Sequence, residues 1–154
     1  SLCGSAPGFG TVYAVRAAGN LRVAEERSEA GASEVRMFQE TGAPALPALF
    51  LLGSGKTSEL VMFTGSRDGL CSVHSPLKYA HQRSETAQPL IRLRCGENGE
   101  FFLLLAGTFR PDAQTGNYRL SFIAEKSGKV VTAQAEAAPR GCTDIGKLKF
   151  AGGK

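Results

Sequence analysis

The sequence predicts an all-β protein, an antiparallel β-sandwich or flattened barrel of about ten short strands, stapled by disulfides. Three observations lead there. Short runs of alternating or β-branched apolar residues recur along the chain, as in Leu21-Arg22-Val23-Ala24 and Pro89-Leu90-Ile91-Arg92-Leu93-Arg94-Cys95. Glycine, proline and asparagine clusters such as Gly65–Gly69 and Gly96-Glu97-Asn98-Gly99 punctuate those runs with turn chemistry. Strand and helix signals do not alternate as a parallel α/β sheet requires.

In chain order, Ser1 to Gly10 holds three glycines and a proline and is expected to be a flexible arm. Thr11-Val12-Tyr13-Ala14-Val15-Arg16 is a β-branched strand; a turn at Gly19-Asn20 leads to Leu21–Ala24, and the two runs are expected to form a hairpin. Glu25 to Ala32 reads equally as a short helix or a polar loop. Glu34–Gln39 alternates, with either Val35 and Met37 or Arg36 and Phe38 facing inward. Two prolines, Pro44 and Pro47, keep 41–47 out of a sheet interior. Ala48–Leu52 and Glu59–Thr64 then form a hairpin through Gly53-Ser54-Gly55-Lys56.

Gly69 to Ala87 is the longest region without a strand signal. Pro89–Cys95 alternates strictly, and Glu100 to Ala106, apolar on both faces, is expected to be a central strand. Asn117–Ala124 and Val130–Ala133 are strands on either side of Ser127-Gly128. Lys147-Leu148-Lys149-Phe150 is a short edge strand whose lysines face water.

At 154 residues the chain is expected to be a single domain, with the sandwich spanning 11–150. Eighteen basic against fourteen acidic residues give a net charge of +4, spread along the chain rather than gathered in a stripe, which argues against nucleic acid as a partner. No apolar run approaches the ~20 residues of a membrane helix, so no membrane insertion is expected. Ser1-Leu2-Cys3-Gly4 has no leader character, as in a mature or excised ectodomain fragment. Cys3, Cys71, Cys95 and Cys142 are even in number, far apart and free of CxxC spacing. That pattern suits two disulfides in an oxidising compartment, a secreted, extracellular or secretory-lumen setting. Of the three pairings, Cys3–Cys142 with Cys71–Cys95 is preferred.

Several constellations resemble chemistry without supplying it. Gly53-Ser54-Gly55-Lys56-Thr57 has the end of a phosphate loop, but Phe50 stands where the first glycine is needed, and a strand follows where a helix should. Cys71, His74, His81 and Cys95 are zinc-ligand types at a spacing that fits no finger pattern. Only His74 and His81 could act as a catalytic base, and no nucleophile elbow accompanies them. Paired carboxylates such as Glu25 with Glu26 and Glu97 with Glu100 fall in turn-like, solvated settings. No enzyme activity, metal or cofactor is expected.

Thr64-Gly65, Gly69-Leu70-Cys71, Arg83-Ser84 and Ile91-Arg92-Leu93-Arg94-Cys95-Gly96 together resemble the mannose 6-phosphate receptor homology lectins over 64–96. That resemblance implies a sugar-binding role for Arg83, with Tyr118, Gln82 and Glu100 as candidates for the family's tyrosine, glutamine and glutamate. The residues themselves favour a non-catalytic binding or adhesion module that recognises a protein or cell-surface partner, alone or within a larger complex. Its expected contact region is the loop 69–87, with Arg67, His74, Tyr79, His81 and Arg83 exposed on a rigid β framework. A glycan-binding lectin and a fimbrial-type subunit completed by another subunit's strand are the alternatives.

Overall fold

The structure is a computed structural model and describes residues 1–151. In chain order its strands are β1 (Leu2–Ser5), β2 (Val12–Val15), β3 (Leu21–Val23), β4 (Arg27–Ser28), β5 (Glu34–Gln39), β6 (Ala48–Leu52), β7 (Glu59–Arg67), β8 (Leu70–Val73), β9 (His81–Gln82), β10 (Thr86–Leu93), β11 (Glu100–Leu103), β12 (Tyr118–Lys126), β13 (Lys129–Ala137) and β14 (Thr143–Lys147). A three-residue 3-10 turn, Gly55–Thr57, lies between β6 and β7 and occupies the phosphate-loop look-alike. The all-β class follows from the sequence pattern. The strands fall into two compact units, one made of 16–90 and the other of 1–15 with 91 onward.

The first unit is a closed six-stranded barrel. Its order is β10-β3-β5-β8-β7-β6, and β6 pairs back onto β10 through Leu52 with Ala87 and Phe50 with Pro89. All six pairings are antiparallel. Period-two alternation explains which side chains fill it. Leu21, Val23, Val35, Met37, Phe50, Leu52, Val61 and Phe63 point inward, while Arg22, Arg36 and Phe38 point out. The alternation in β5 thus resolves in favour of Val35 and Met37. Phe50 and Phe63 pack with ring centroids 5.4 Å apart, each contributing about 1.5–3 kcal/mol by burial. Tight turns connect β7 to β8, where Asp68 and Gly69 have φ of 53° and 80° between the paired Arg67 and Leu70.

The second unit contains a sheet β11-β1-β14 and a run β13-β12-β2 that share one core. Leu2, Val12, Ala14, Leu93, Phe101, Leu103, Leu120, Phe122 and Val131 belong to it. The β12–β13 hairpin runs from Tyr118 opposite Ala137 to Lys126 opposite Lys129, closed by Ser127 and Gly128 at φ 54° and 76°. Both turn residues lie in the left-handed region that a two-residue hairpin matched to strand twist demands.

Five expectations are corrected. Residues 2–5, read as arm, form β1, the middle strand of its sheet, with Leu2 fully buried. That sheet is not wholly antiparallel, because β1 runs parallel to β14. The runs 11–16 and 21–24 do not form a hairpin: β2 pairs with β12, and β3 with β10 and β5. Gly19 explains the diversion, since a Cβ there would collide with the Gly42 carbonyl, so this bend packs against the β5–β6 loop instead of folding into a hairpin turn. Residues 70–73 are a barrel strand, although only four residues long. Finally, β11 lies at the edge of its sheet rather than in the centre, and its outward residue Phe102 and the following Leu104 are 57% and 68% exposed.

Candidate functional site

The residues expected to form a contact region are not brought together. Arg67 is exposed at the end of β7, whereas Tyr79 and His81 engage Glu59 at its start. A nine-residue strand separates them by roughly 26 Å at ~3.3 Å per residue. His74 is exposed, and its backbone N–H donates to the Met62 carbonyl at 2.8 Å. Arg83 is exposed and lies 3.5 Å from the Glu26 carboxylate, a solvated pair of small energetic weight. His81, expected at the surface, is fully buried.

The burial of His81 has a chemical reason. Its Nε2 lies 2.7 Å from Glu59 Oε2, and its Nδ1 lies 3.0 Å from Glu85 Oε1. Both ring nitrogens face carboxylate oxygens, so both are satisfied only when both carry a proton. Glu59 is itself buried and also accepts the backbone N–H groups of Lys78 at 2.8 Å and Tyr79 at 3.0 Å. Glu85 accepts the backbone N–H of Gln82 through its other oxygen. Burial by itself would lower the His81 pKa, but the hydrogen bonds and negative charges of Glu59 and Glu85 outweigh it and hold the imidazolium above its ordinary range.

Gly53 shapes the same place. It has φ 83°, and a Cβ on it would stand 2.9 Å from Glu85 Oε1 and 3.1 Å from His81 Nδ1. The backbone leaving β6 therefore lies flat against the ion cluster, as only glycine allows. The cluster clamps the 78–85 segment onto the start of β7. It leaves His81 no free nitrogen with which to accept a substrate proton. Glu59 and Glu85 were not legible as its partners, since Glu59 opens an apolar strand 22 residues before His81.

All four cysteines are free thiols, so neither expected disulfide is present. Cys71 and Cys95 belong to different cores: Cys71 is buried in the barrel, opposite Val35 and Ser66, and Cys95 packs against the core of the second unit. Cys3 and Cys142 are neighbours, close enough for Cys142 to push the Cys3 thiol up. The zinc-like set is also dispersed, with Cys71 in one core, Cys95 against the other and His81 bound to carboxylates. Among the described residues, no three His, Cys, Asp or Glu side chains converge as metal ligands.

The second unit carries a different kind of site. An open cleft of about 640 Å³ is lined by Cys3, Ser5, Arg94, Glu100, Phe102 and Asp144 among others. β11 forms one wall. Among the described residues its ladder is made to β1 alone, with Ser5 opposite Glu100, Gly4 opposite Phe101 and Cys3 opposite Phe102. The turn before it is held by the Gly96 N–H donating to the Glu100 carbonyl at 2.8 Å. Phe101, Leu103 and Leu105 point into the core, which fixes Phe102 and Leu104 as the outward pair. Arg94 adds an exposed cation beside the cleft, with the Glu100 and Asp144 carboxylates near it. No family model, curated protein or solved structure matches the chain.

Proposed function

We propose that this chain is a non-catalytic binding module that takes up an extended segment of a protein partner along the outer edge of β11. The observation that carries this is the exposure of Phe102 and Leu104 on and just after a strand paired on one side only. Edge strands are ordinarily blunted by charge, proline or a covering element, because unpaired N–H and C=O groups recruit other strands. Here, after Glu100, the outward residues Phe102 and Leu104 are apolar instead. An extended polypeptide supplies the two things such an edge lacks, a backbone ladder and alternate side chains to cover the outward residues. A strand donated by another subunit, as in a fimbrial assembly, uses the same edge and is one form of this function.

Selection of displayed random peptides against the folded protein tests it. Peptides with alternating apolar residues are expected to enrich, to protect the amides of 101–105 from hydrogen exchange, and to lose binding by tenfold or more on Phe102→Asp. Phe38→Asp, at the exposed aromatic of β5, is expected to leave binding unchanged. Failure of any peptide to enrich, or equal binding to Phe102→Asp, overturns the proposal.

A further inference from the structure

Four thiols are distributed very unequally. Cys71 is buried among the barrel's apolar side chains, and Cys95 is half-buried against the other core. Cys142 is exposed, in the turn between β13 and β14. Cys3 is half-buried in β1, a strand paired on both sides.

The backbone holds the last two together. Leu2 is opposite Thr143 and Cys3 opposite Asp144 in the parallel β1–β14 pairing. The Thr143 N–H donates to the Ser1 carbonyl at 3.1 Å, and the Thr143 hydroxyl accepts the Ala138 N–H at 3.0 Å, closing the turn that carries Cys142. Gly4, next to Cys3, permits this approach: a Cβ there would stand 2.7 Å from Ile145 Cγ1 and 2.9 Å from the Gly146 carbonyl oxygen. The two thiols are thus neighbours, Cys3 on β1 and Cys142 one residue before β14, in a pairing that holds them close.

We infer that Cys142 and Cys3 form an attacking and resolving thiol pair, a site of reversible disulfide formation with small-molecule disulfides of the glutathione class. Cys142 is the group an oxidant can reach. Its thiolate attacks one sulfur of the oxidant's disulfide, forming a mixed disulfide and expelling one oxidant thiolate. The Cys3 thiol then gives up its proton and its sulfur attacks Sγ of Cys142, expelling the second oxidant thiolate. Two protein thiols lose two electrons and two protons, and the oxidant leaves as two thiols. Burial first, then the hydrogen bond and charge of Cys142 and the Asp144 carboxylate, hold the Cys3 thiol above its ordinary range. That suits the resolving role, which needs proximity rather than a standing thiolate.

The site is independent of the binding edge proposed above. Its test is oxidation of the whole reduced protein with oxidised glutathione, followed by alkylation, intact mass and peptide mapping. The expected product has lost two hydrogens, carries no glutathione and links Cys3 to Cys142, with Cys71 and Cys95 still alkylated. Cys3→Ser is expected to stop at one glutathione on Cys142, and Cys142→Ser to take up neither glutathione nor a bridge at Cys3. A stable glutathione adduct on wild-type Cys142 without the bridge overturns the inference, as does a bridge that includes Cys71 or Cys95. Because Cys142 is exposed, Cys142→Ser folds whatever the outcome, and circular dichroism of that variant verifies it.

Discussion

In the barrel, Phe63 is fully buried with its ring 5.4 Å from that of Phe50, and each of the six strands is paired on both sides. In the second unit, Phe102 takes the outward position of an alternating strand and stands 57% exposed, on a strand that among the described residues is paired only with β1. The two phenylalanines obey the same period-two rule from opposite faces, Phe63 inward and Phe102 outward, as Phe38 is on the barrel itself. What separates the two strands is whether the backbone ladder continues on both sides. A closed ladder leaves no edge to fill, and the polar groups buried beside it, Glu59 and His81, fasten a loop together with the partly buried Glu85. An open ladder leaves backbone and apolar surface available to something else.

The largest expected effect comes from breaking the barrel's clamp. His81→Leu leaves the buried Glu59 carboxylate facing an apolar group, and removing one partner of a buried pair costs about 3–5 kcal/mol. Urea unfolding should show that loss. Hydrogen exchange should place it first in the amides of Lys78 and Tyr79, which donate to Glu59. A loss below 1 kcal/mol would mean that the barrel does not depend on the cluster.

The pH dependence sharpens the same contrast. His81 binds its proton more tightly in the folded protein than the ordinary value of 6.5. Its contribution is therefore complete below pH 6.5 and is lost as pH rises through the folded value, with a slope up to about 1.4 kcal/mol per pH unit in that window. Wild type should lose stability on alkalinisation from pH 6.5, and His81→Leu should lack that component of the slope. The smallest effect belongs to the edge. Phe102→Ser should alter unfolding stability by no more than about 0.5 kcal/mol, because the side chain is mostly solvated already. A cost of 2 kcal/mol or more would show that the edge serves the fold rather than a partner.

Local alternation made much of this legible from sequence. Leu21 with Val23, Val61 with Phe63, and the Ser127-Gly128 turn all announce themselves within a few residues. Pairing partners did not, because β2 and β3 find theirs at residues 122–124 and at 37–39 and 86–87, which no window around Gly19 contains. The candidate site was harder still. Glu100–Ala106 reads as a strand buried on both faces, since exposed apolar residues kept for a partner have the same composition as core. The ion cluster joins residues 22 and 4 positions apart in a segment without helical spacing to signal it. Cys3 and Cys142 could be placed together from sequence, but Cys71 and Cys95 could not be kept apart, because the division between the two units falls inside β10.

That division also sets an order of events during synthesis. The barrel is built from one unbroken stretch, 16–90, so all its pairings are available once residue 90 has left the ribosome. β1 is made before the other strands described, yet its partner at Leu103 arrives about a hundred residues later, and Thr143 later again. At ~5–20 residues per second, Leu2 to Ser5 wait roughly 5–20 s with nothing to pair against. The earliest of these strands to be made is thus among the last to be incorporated, and a chaperone that shields residues 1–15 would act while the barrel behind them is already forming.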